Sequence, residues 1–358
     1  MTRLTSFGLL PVILLALPAA EVPPEQESCP HPKGYVCYRT PSPIAIDGKA
    51  EAAWEAAPWS DAFVDIEGDK KPAPRFKTRM KMLWDDEALY IFAELEEPDV
   101  WGTLTEHDSV IFHDNDFEVF LDPDGDNHNY GELELNALNA TWDLLLTKPY
   151  KDGGKAVNAW EITGLKTAVH VNGTLNKPGD KDKGWTVEIR WPFVGLRELA
   201  KLATPPRDGD QMRINFSRVE WASEVVDGKY RKVKGAKEDN WVWSPQGVID
   251  MHRPERWGYV QFSTAAPGKA TFRTDPDWSA RDLLHRVYYA EWDYHKANGK
   301  FAPTLAPLNL KGIAAPLAGP IQIETTTSGF EVGLTIPGAR GDKPRRLSIA
   351  HDAKFKVE

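Results

Sequence analysis

FHDNDFEVFLDPDGDNHNYGELELNALNATWDLLL, residues 112–146, decides the fold. In its first half Phe117, Val119 and Leu121 point one way, and Asp116, Glu118 and Phe120 the other. In its second half Leu133, Leu135 and Ala137 oppose Glu132, Glu134 and Asn136. Alternation with period two marks a strand with one apolar face. Closing the two as a hairpin about Asp126 sets Glu118 opposite Glu134 and Asp116 opposite Asn136. A slip of one residue would turn the whole set over. In this register several carboxylates and an amide share one sheet surface. Side-by-side carboxylates repel, so the surface calls for an arginine, a cation or a ligand rich in hydroxyls.

Working outward, Asp47-Gly48 turns the chain and residues 50–57 suit a short helix with Trp54 facing inward. Residues 76–84 and 88–95 flank Asp85-Asp86-Glu87 as a second hairpin. The long loop at 98–113 offers Trp101, either as a binding aromatic or as packing over a sheet edge. Further strands are expected at 142–147, 160–165, 185–191, 212–219 and 257–262, with a short helix at 193–202. Arg218 falls on the apolar side of its strand, so it must reach a carboxylate or a ligand. Many short strands with few helices predict a mainly β protein, an antiparallel two-sheet β-sandwich over residues 39–264.

The run DNDFEVFLDPDGD…YGELELNALN resembles the family 9 carbohydrate-binding modules. So, in the same order, do IDGKAEAAW (46–54), MLWDDEALYIFAEL (82–95), GWTVEIRWPF (184–193), RINFSRVE (213–220) and HRPERWGYVQF (252–262). The resemblance implies the sandwich fold and a sugar ligand. In family members that hold free sugars, two tryptophans clamp the ring. The corresponding places here hold His113 and a residue near His252, neither a tryptophan. The polar positions that match the family's face are Glu118, Glu134 and Asn136, with Ser217 or Arg218 on the later strand. Trp101, Trp221 or Trp241 would supply an aromatic plane from loops.

The chain has 358 residues, 41% of them hydrophobic, with net charge −10. Its basic residues are dispersed, which argues against nucleic acid or an anionic membrane as the main partner. Fourteen tryptophans are a rich supply of flat rings for core packing or for stacking on sugars. Residues 1–20 read as a signal peptide: Arg3, then an apolar run too short to span a bilayer, then small residues. No later segment is apolar enough to cross a membrane, so the protein is expected to be periplasmic or extracellular. Residues 21–38 read as a linker holding Cys29 and Cys37, which an oxidising compartment would close as a disulfide. After Pro267 the composition changes, and residues 270–358 read as a small α+β domain. Its helix, at 278–298, carries Leu284, Tyr288, Trp292 and His295 on one stripe and ends at Gly299.

Asp122, Asp124 and Asp126 alternate through the central turn, a spacing that suits calcium or a plain polar turn. The reading that follows is an exported, non-catalytic carbohydrate-binding protein active in polysaccharide recognition or catabolism. The alternative is a non-covalent haem-binding electron-transfer module of the related sandwich fold, with His113 and His252 as axial ligands. A glycoside hydrolase is the third reading; it needs two carboxyls facing across a cleft, and Glu118 and Glu134 as direct neighbours are too close.

Overall fold

The computed structural model describes residues 28–201, 204–308, 310, 319–338 and 343–358, so the expected signal peptide at 1–20 lies outside the described residues. In chain order the strands of the first part are β1 (Gly34–Arg39), β2 (Val64–Asp65), β3 (Thr78–Trp84), β4 (Ala88–Leu95), β5 (Asp116–Asp122), β6 (Tyr130–Asn136), β7 (Thr141–Leu146), β8 (Ala156–Val157), β9 (Lys166–Asn172), β10 (Gly184–Pro192), β11 (Gln211–Glu220), β12 (Ser223–Val226), β13 (Lys229–Lys232), β14 (Asp239–Val242) and β15 (Gly258–Ser263). All but the β12–β13 hairpin join one sheet in the order β8-β7-β6-β5-β11-β15-β1-β3-β4-β10-β9, with β14 and β2 attached through β11.

Two antiparallel sheets were the expectation; the strands instead form one mixed sheet that curls over a shared core. The cause is β1, whose sequence GYVCYR lies, all but Arg39, within the segment read as linker. It runs parallel to β15 on one side and to β3 on the other, pairing Gly34 with Tyr259 and Arg39 with Trp84. One strand thus joins two antiparallel halves. The residues that alternation assigns inward meet in this core: Phe117, Val119 and Leu121 of β5, Leu133 and Leu135 of β6, Trp185, Val187, Ile189 and Trp191 of β10, and Ile214 and Phe216 of β11. Burying each such side chain contributes roughly 1.5–3 kcal/mol.

The 46–54 motif has a specific anchor. Glu188, on the outward side of β10, is fully buried. One of its oxygens accepts the N–H groups of Asp47 and Gly48 at 2.9 Å each, and the other the Trp54 indole N–H at 2.8 Å. Gly48 sits at φ +81°, and a Cβ there would meet the His170 backbone nitrogen at 2.7 Å, so this docking requires glycine. The expected helix is a 3-10 turn, Ala52–Ala56. Residues 160–165 are not a strand, although Trp160 and Ile162 are buried; the edge strand is β9 just beyond them. The helix after β10, α1, is confined to Phe193–Leu196.

Cys29 and Cys37 are free thiols rather than a disulfide. Cys37 alternates with Tyr38 on β1 and faces the core, fully buried, which pushes its thiol pKa well up. Cys29 is held elsewhere: its N–H donates to Asp282 Oδ1 and its carbonyl accepts the Trp278 indole N–H, each at 3.1 Å. The two side chains belong to different packing environments.

The last part of the chain contains α2 (Trp278–Asn298), β16 (Gln322–Thr325), β17 (Phe330–Ile336), β18 (Arg345–Ala350) and β19 (Phe355–Val357), the strands paired antiparallel in that order. Leu284 and Tyr288 of α2 pack on Val332, Leu347 and Ile349 in a second core. Gly299 ends α2 at φ +68°, its N–H reaching the His295 carbonyl at 2.8 Å. This part is hydrogen-bonded to the tip of the β5–β6 hairpin: Phe355 N–H to the Asp126 carbonyl, Asn127 Nδ2 to the Ala353 carbonyl, and His128 Nε2 to the Asp352 carbonyl.

Candidate functional site

The β5–β6 hairpin forms in the expected register, with Glu118 opposite Glu134 and Asp116 opposite Asn136. On its other edge β5 pairs with β11, setting Ser217 beside Glu118 and Asn215 beside Phe120. Beyond β6, β7 places Trp142 beside Glu134 and Leu144 beside Glu132. The face is therefore acidic in the middle, with Asp116, Glu118, Glu132 and Glu134, and aromatic or apolar around it.

All four carboxyls are buried, none more than 5% exposed. Asp116 Oδ1 accepts the Val219 N–H and Glu134 Oε2 the Phe112 N–H, each at 2.9 Å. Asp116 Oδ2 and Glu132 Oε2 have no hydrogen-bond partner. Burial raises all four pKa values; the neighbouring Glu118 charge adds to the rise at Asp116, Glu132 and Glu134. Glu118 itself is pushed up to about 7 by burial, with the neighbouring Ser217 and Asp116 side chains opposing. Protonation thus relieves the repulsion among the four, and a carboxylic acid both donates and accepts hydrogen bonds. Oxygens of Asp116, Glu118 and Glu134 lie within 4.8 Å of one another, a grouping that could also hold a metal ion.

Aromatic side chains border the acids. Trp221 donates its indole N–H to the Phe112 carbonyl at 2.8 Å and carries Lys232 Nζ 3.5 Å from its ring centre. Tyr150 is 47% exposed and reaches the Phe120 end of the face through His252, which packs on both rings; burial and the Glu132 and Glu134 charges push its hydroxyl up to about 12. His252 lies 4.5 Å from Tyr150 between ring centres, with Nδ1 3.0 Å from the Tyr130 hydroxyl. Burial lowers the His252 pKa to about 4 against the pull of Asp250.

Of the residues expected at the site, Glu118 and Glu134 lie on this face, and Trp221 and His252 border it. His113 is exposed beside Phe112 at the Glu134 end, and His252 belongs to the Phe120–Tyr130 end. Asn136 lies on the face but is fully engaged: Nδ2 donates to the Leu104 carbonyl and Asp114 Oδ2, and Oδ1 accepts the N–H groups of Leu138 and Ala140. Arg218 is not at the site. It is fully buried on the core side of β11, bound to Glu97 Oε2 at 2.9 Å, Glu220 Oε2 at 2.8 Å and the Glu96 carbonyl. Trp241 packs in the core 5.2 Å from its guanidinium, and Trp101 is also buried in the interior. Asp116 and Glu132 complete the acidic face, as the alternation that found Glu118 and Glu134 already implied. Trp142, Tyr150 and Lys232 arrive from outside the central hairpin and carry no local sign of it.

Asp122, Asp124 and Asp126 bring carboxylate oxygens within 4.8 Å of one another. The turn is closed by its own hydrogen bonds, from Gly125 and Asn127 N–H to Asp122 and from His128 N–H to Asp126. Lys354 Nζ stands 3.2 Å from Asp126 Oδ2. A lysine thus offsets part of the charge of the turn.

Residues 46–262 match the family described as "Carbohydrate family 9 binding domain-like". No curated protein matches the sequence. Among solved structures, the chain is similar to a family 9 carbohydrate-binding module from Caldicellulosiruptor kristjanssonii in complex with cellotriose. The identity is 16%, 68% of this chain and 100% of the module are covered, and the TM-score is 0.40. A module from the same organism in complex with glucose matches at 17% identity, 66% and 100% coverage, and TM-score 0.40. A proposed carbohydrate-binding protein from Bacteroides uniformis matches at 14% identity, 65% and 100% coverage, and TM-score 0.48.

Proposed function

This chain belongs to the carbohydrate family 9 binding domain-like family, and from that premise we propose that its acidic face binds a carbohydrate without catalysing its cleavage. The observation that supports this reading is the Glu118–Glu134 pair, buried, cross-strand and ringed by partly exposed aromatics. Held in their protonated form, such carboxyls offer both donors and acceptors to sugar hydroxyls. Trp142, Tyr150 and Trp221 offer flat apolar surface for a ring to rest against. Each hydroxyl exchanged from water to protein nets only about 0.5–1.5 kcal/mol, so stacking must supply much of the affinity. A hydrolase would need its two acids on either side of the scissile bond; Glu118 and Glu134 instead stand side by side on adjacent strands. In keeping with the leader read at 1–20, the protein would act outside the cytoplasm, in polysaccharide recognition or catabolism.

Calorimetry with glucose, cellotriose and a wider glycan panel tests the proposal. The expected result is saturable binding that Tyr150→Ala and Glu118→Gln each weaken at least tenfold. Sugar binding unchanged in both variants would place the ligand on another surface, and an absorbance band from bound haem in the purified protein would favour the electron-transfer reading.

A further inference from the structure

On the other side of β7 from Trp142, a second group of acids converges on one imidazole. His107 Nδ1 lies 3.0 Å from the Thr141 carbonyl oxygen and 3.1 Å from the Thr141 hydroxyl. A carbonyl only accepts, so Nδ1 carries the hydrogen, and in the neutral ring Nε2 presents its lone pair. That lone pair faces only oxygen acceptors: Glu161 Oε1 at 3.1 Å and Oε2 at 3.2 Å, Asp108 Oδ1 at 3.5 Å and Asp143 Oδ1 at 3.8 Å.

Asp143 supplies the second observation. It is 1% exposed, and its Oδ2 accepts the Ile162 N–H at 2.6 Å. Its Oδ1 is buried, has no hydrogen-bond partner and is directed at His107 Nε2. Asp108 Oδ1 is also buried and without a hydrogen-bond partner. Asp108 holds a left-handed φ of +62° while its N–H donates to the same Thr141 carbonyl that receives His107.

We propose that His107, Asp143 and Glu161, with Asp108 beside the imidazole, form a binding site for a divalent transition-metal ion of the zinc type. A tetrahedral ion with bonds of about 2.0–2.2 Å spaces its ligands about 3.3–3.6 Å apart. The separations of 3.1, 3.5 and 3.8 Å from Nε2 to its three carboxylates bracket that edge. One imidazole nitrogen among carboxylates is a zinc-type donor set, whereas calcium takes oxygen alone. A backbone carbonyl on the other ring nitrogen is the usual way a ligating histidine is oriented. His107 and Asp108 belong to the connection between β4 and β5, Asp143 to β7, and Glu161 to the segment before β9. The ion would pin that connection to the sheet, and the same connection carries Phe112, whose N–H holds Glu134.

The test is calorimetric titration of the chelator-treated full chain with Zn2+ and, separately, Ca2+ at neutral pH. The expected result is one equivalent of Zn2+ bound in the micromolar range or tighter. His107→Ala and Asp143→Asn should each weaken that binding at least thirtyfold, and Zn2+ should raise the thermal midpoint of the wild type but not of His107→Ala. His107 is half exposed, so its variant reports binding even if Asp143→Asn fails to fold. Absence of saturable Zn2+ binding at 100 µM, on the order of ten times the weakest affinity expected, would overturn the proposal. So would Zn2+ affinity unchanged by His107→Ala, or Ca2+ taking the same site without regard to His107.

Discussion

Glu118 and Glu134 stand directly opposite one another across the β5–β6 ladder, both buried. The pairing is an energetic liability in the ligand-free protein, because ionising either acid places a charge in a low-dielectric site beside another acid. Surfaces kept for binding carry such costs where a purely structural sheet would place a packed apolar pair.

The first prediction follows from that cost. The Glu118 pKa is raised from 4.5 to about 7 in the folded protein. A raised folded value means the native state holds the proton more tightly, so stability is full below about pH 4.5 and falls as pH rises toward 7. At about 1.4 kcal/mol per unit the loss from this group is on the order of 3 kcal/mol. Glu118→Gln should therefore flatten the fall of thermal midpoint between pH 5 and pH 8 and exceed the wild type at the upper end. Parallel curves for the two proteins would show that Glu118 does not carry the pH dependence.

Arg218 anchors the interior. Removing it as Arg218→Met leaves Glu97 and Glu220 buried without their shared cation. The expected loss is about 3–5 kcal/mol in a denaturant titration. Arg218→Lys should recover only part of it, since an ammonium cannot reproduce the contacts of the guanidinium to Glu97, Glu220, Thr78 and the Glu96 carbonyl. A neutral effect of Arg218→Met would contradict the buried ion pairs.

Asn136 is expected to behave as a structural residue. Asn136→Ala strands the Leu138 and Ala140 N–H groups and releases the Leu104 carbonyl. The cost should be about 2–4 kcal/mol, each stranded group contributing roughly 1–3 kcal/mol without simple additivity. Any loss of sugar affinity should come with this destabilisation. A variant of native stability that no longer binds sugar would return Asn136 to the ligand.

The thiols give a test by mass. In the native protein without reductant, alkylation should modify Cys29 readily and Cys37 only on unfolding, because Cys37 is fully buried in the core. Two unreactive cysteines that become reactive only after reduction would mean that the chain oxidises by drawing Cys37 out of β1.

Local alternation made the central hairpin legible, including its register, because six inward and six outward side chains leave one pairing that buries the apolar set. The same rule placed Arg218 on the apolar side, and its requirement for a carboxylate is met by Glu97 and Glu220. That Glu97 is one of them was not legible, since it comes from the end of another strand far back in the chain. Strand β1 was hidden by its context: a short run that includes the second cysteine and follows a proline-rich start reads as a loop until β15 and β3 are beside it. Tyr150, Trp142 and Lys232 share no periodicity with Glu118; only the sheet order and the β12–β13 hairpin bring them near it. The zinc-type cluster escaped for the same reason, its ligands lying on three separate segments.

The parallel insertion of β1 also sets the order of events during synthesis. Gly34 is made early, yet its partner Tyr259 is made only near the end of the sheet. Until then β1 can pair with β3 alone, and its second edge waits open on the nascent chain. Closure therefore depends on a contact of very high sequence separation, the kind that slows folding and leaves strand edges open to other molecules. The β1–β15 pairing is thus among the last contacts the sheet can close, and any chain lacking β15 keeps that edge of β1 bare.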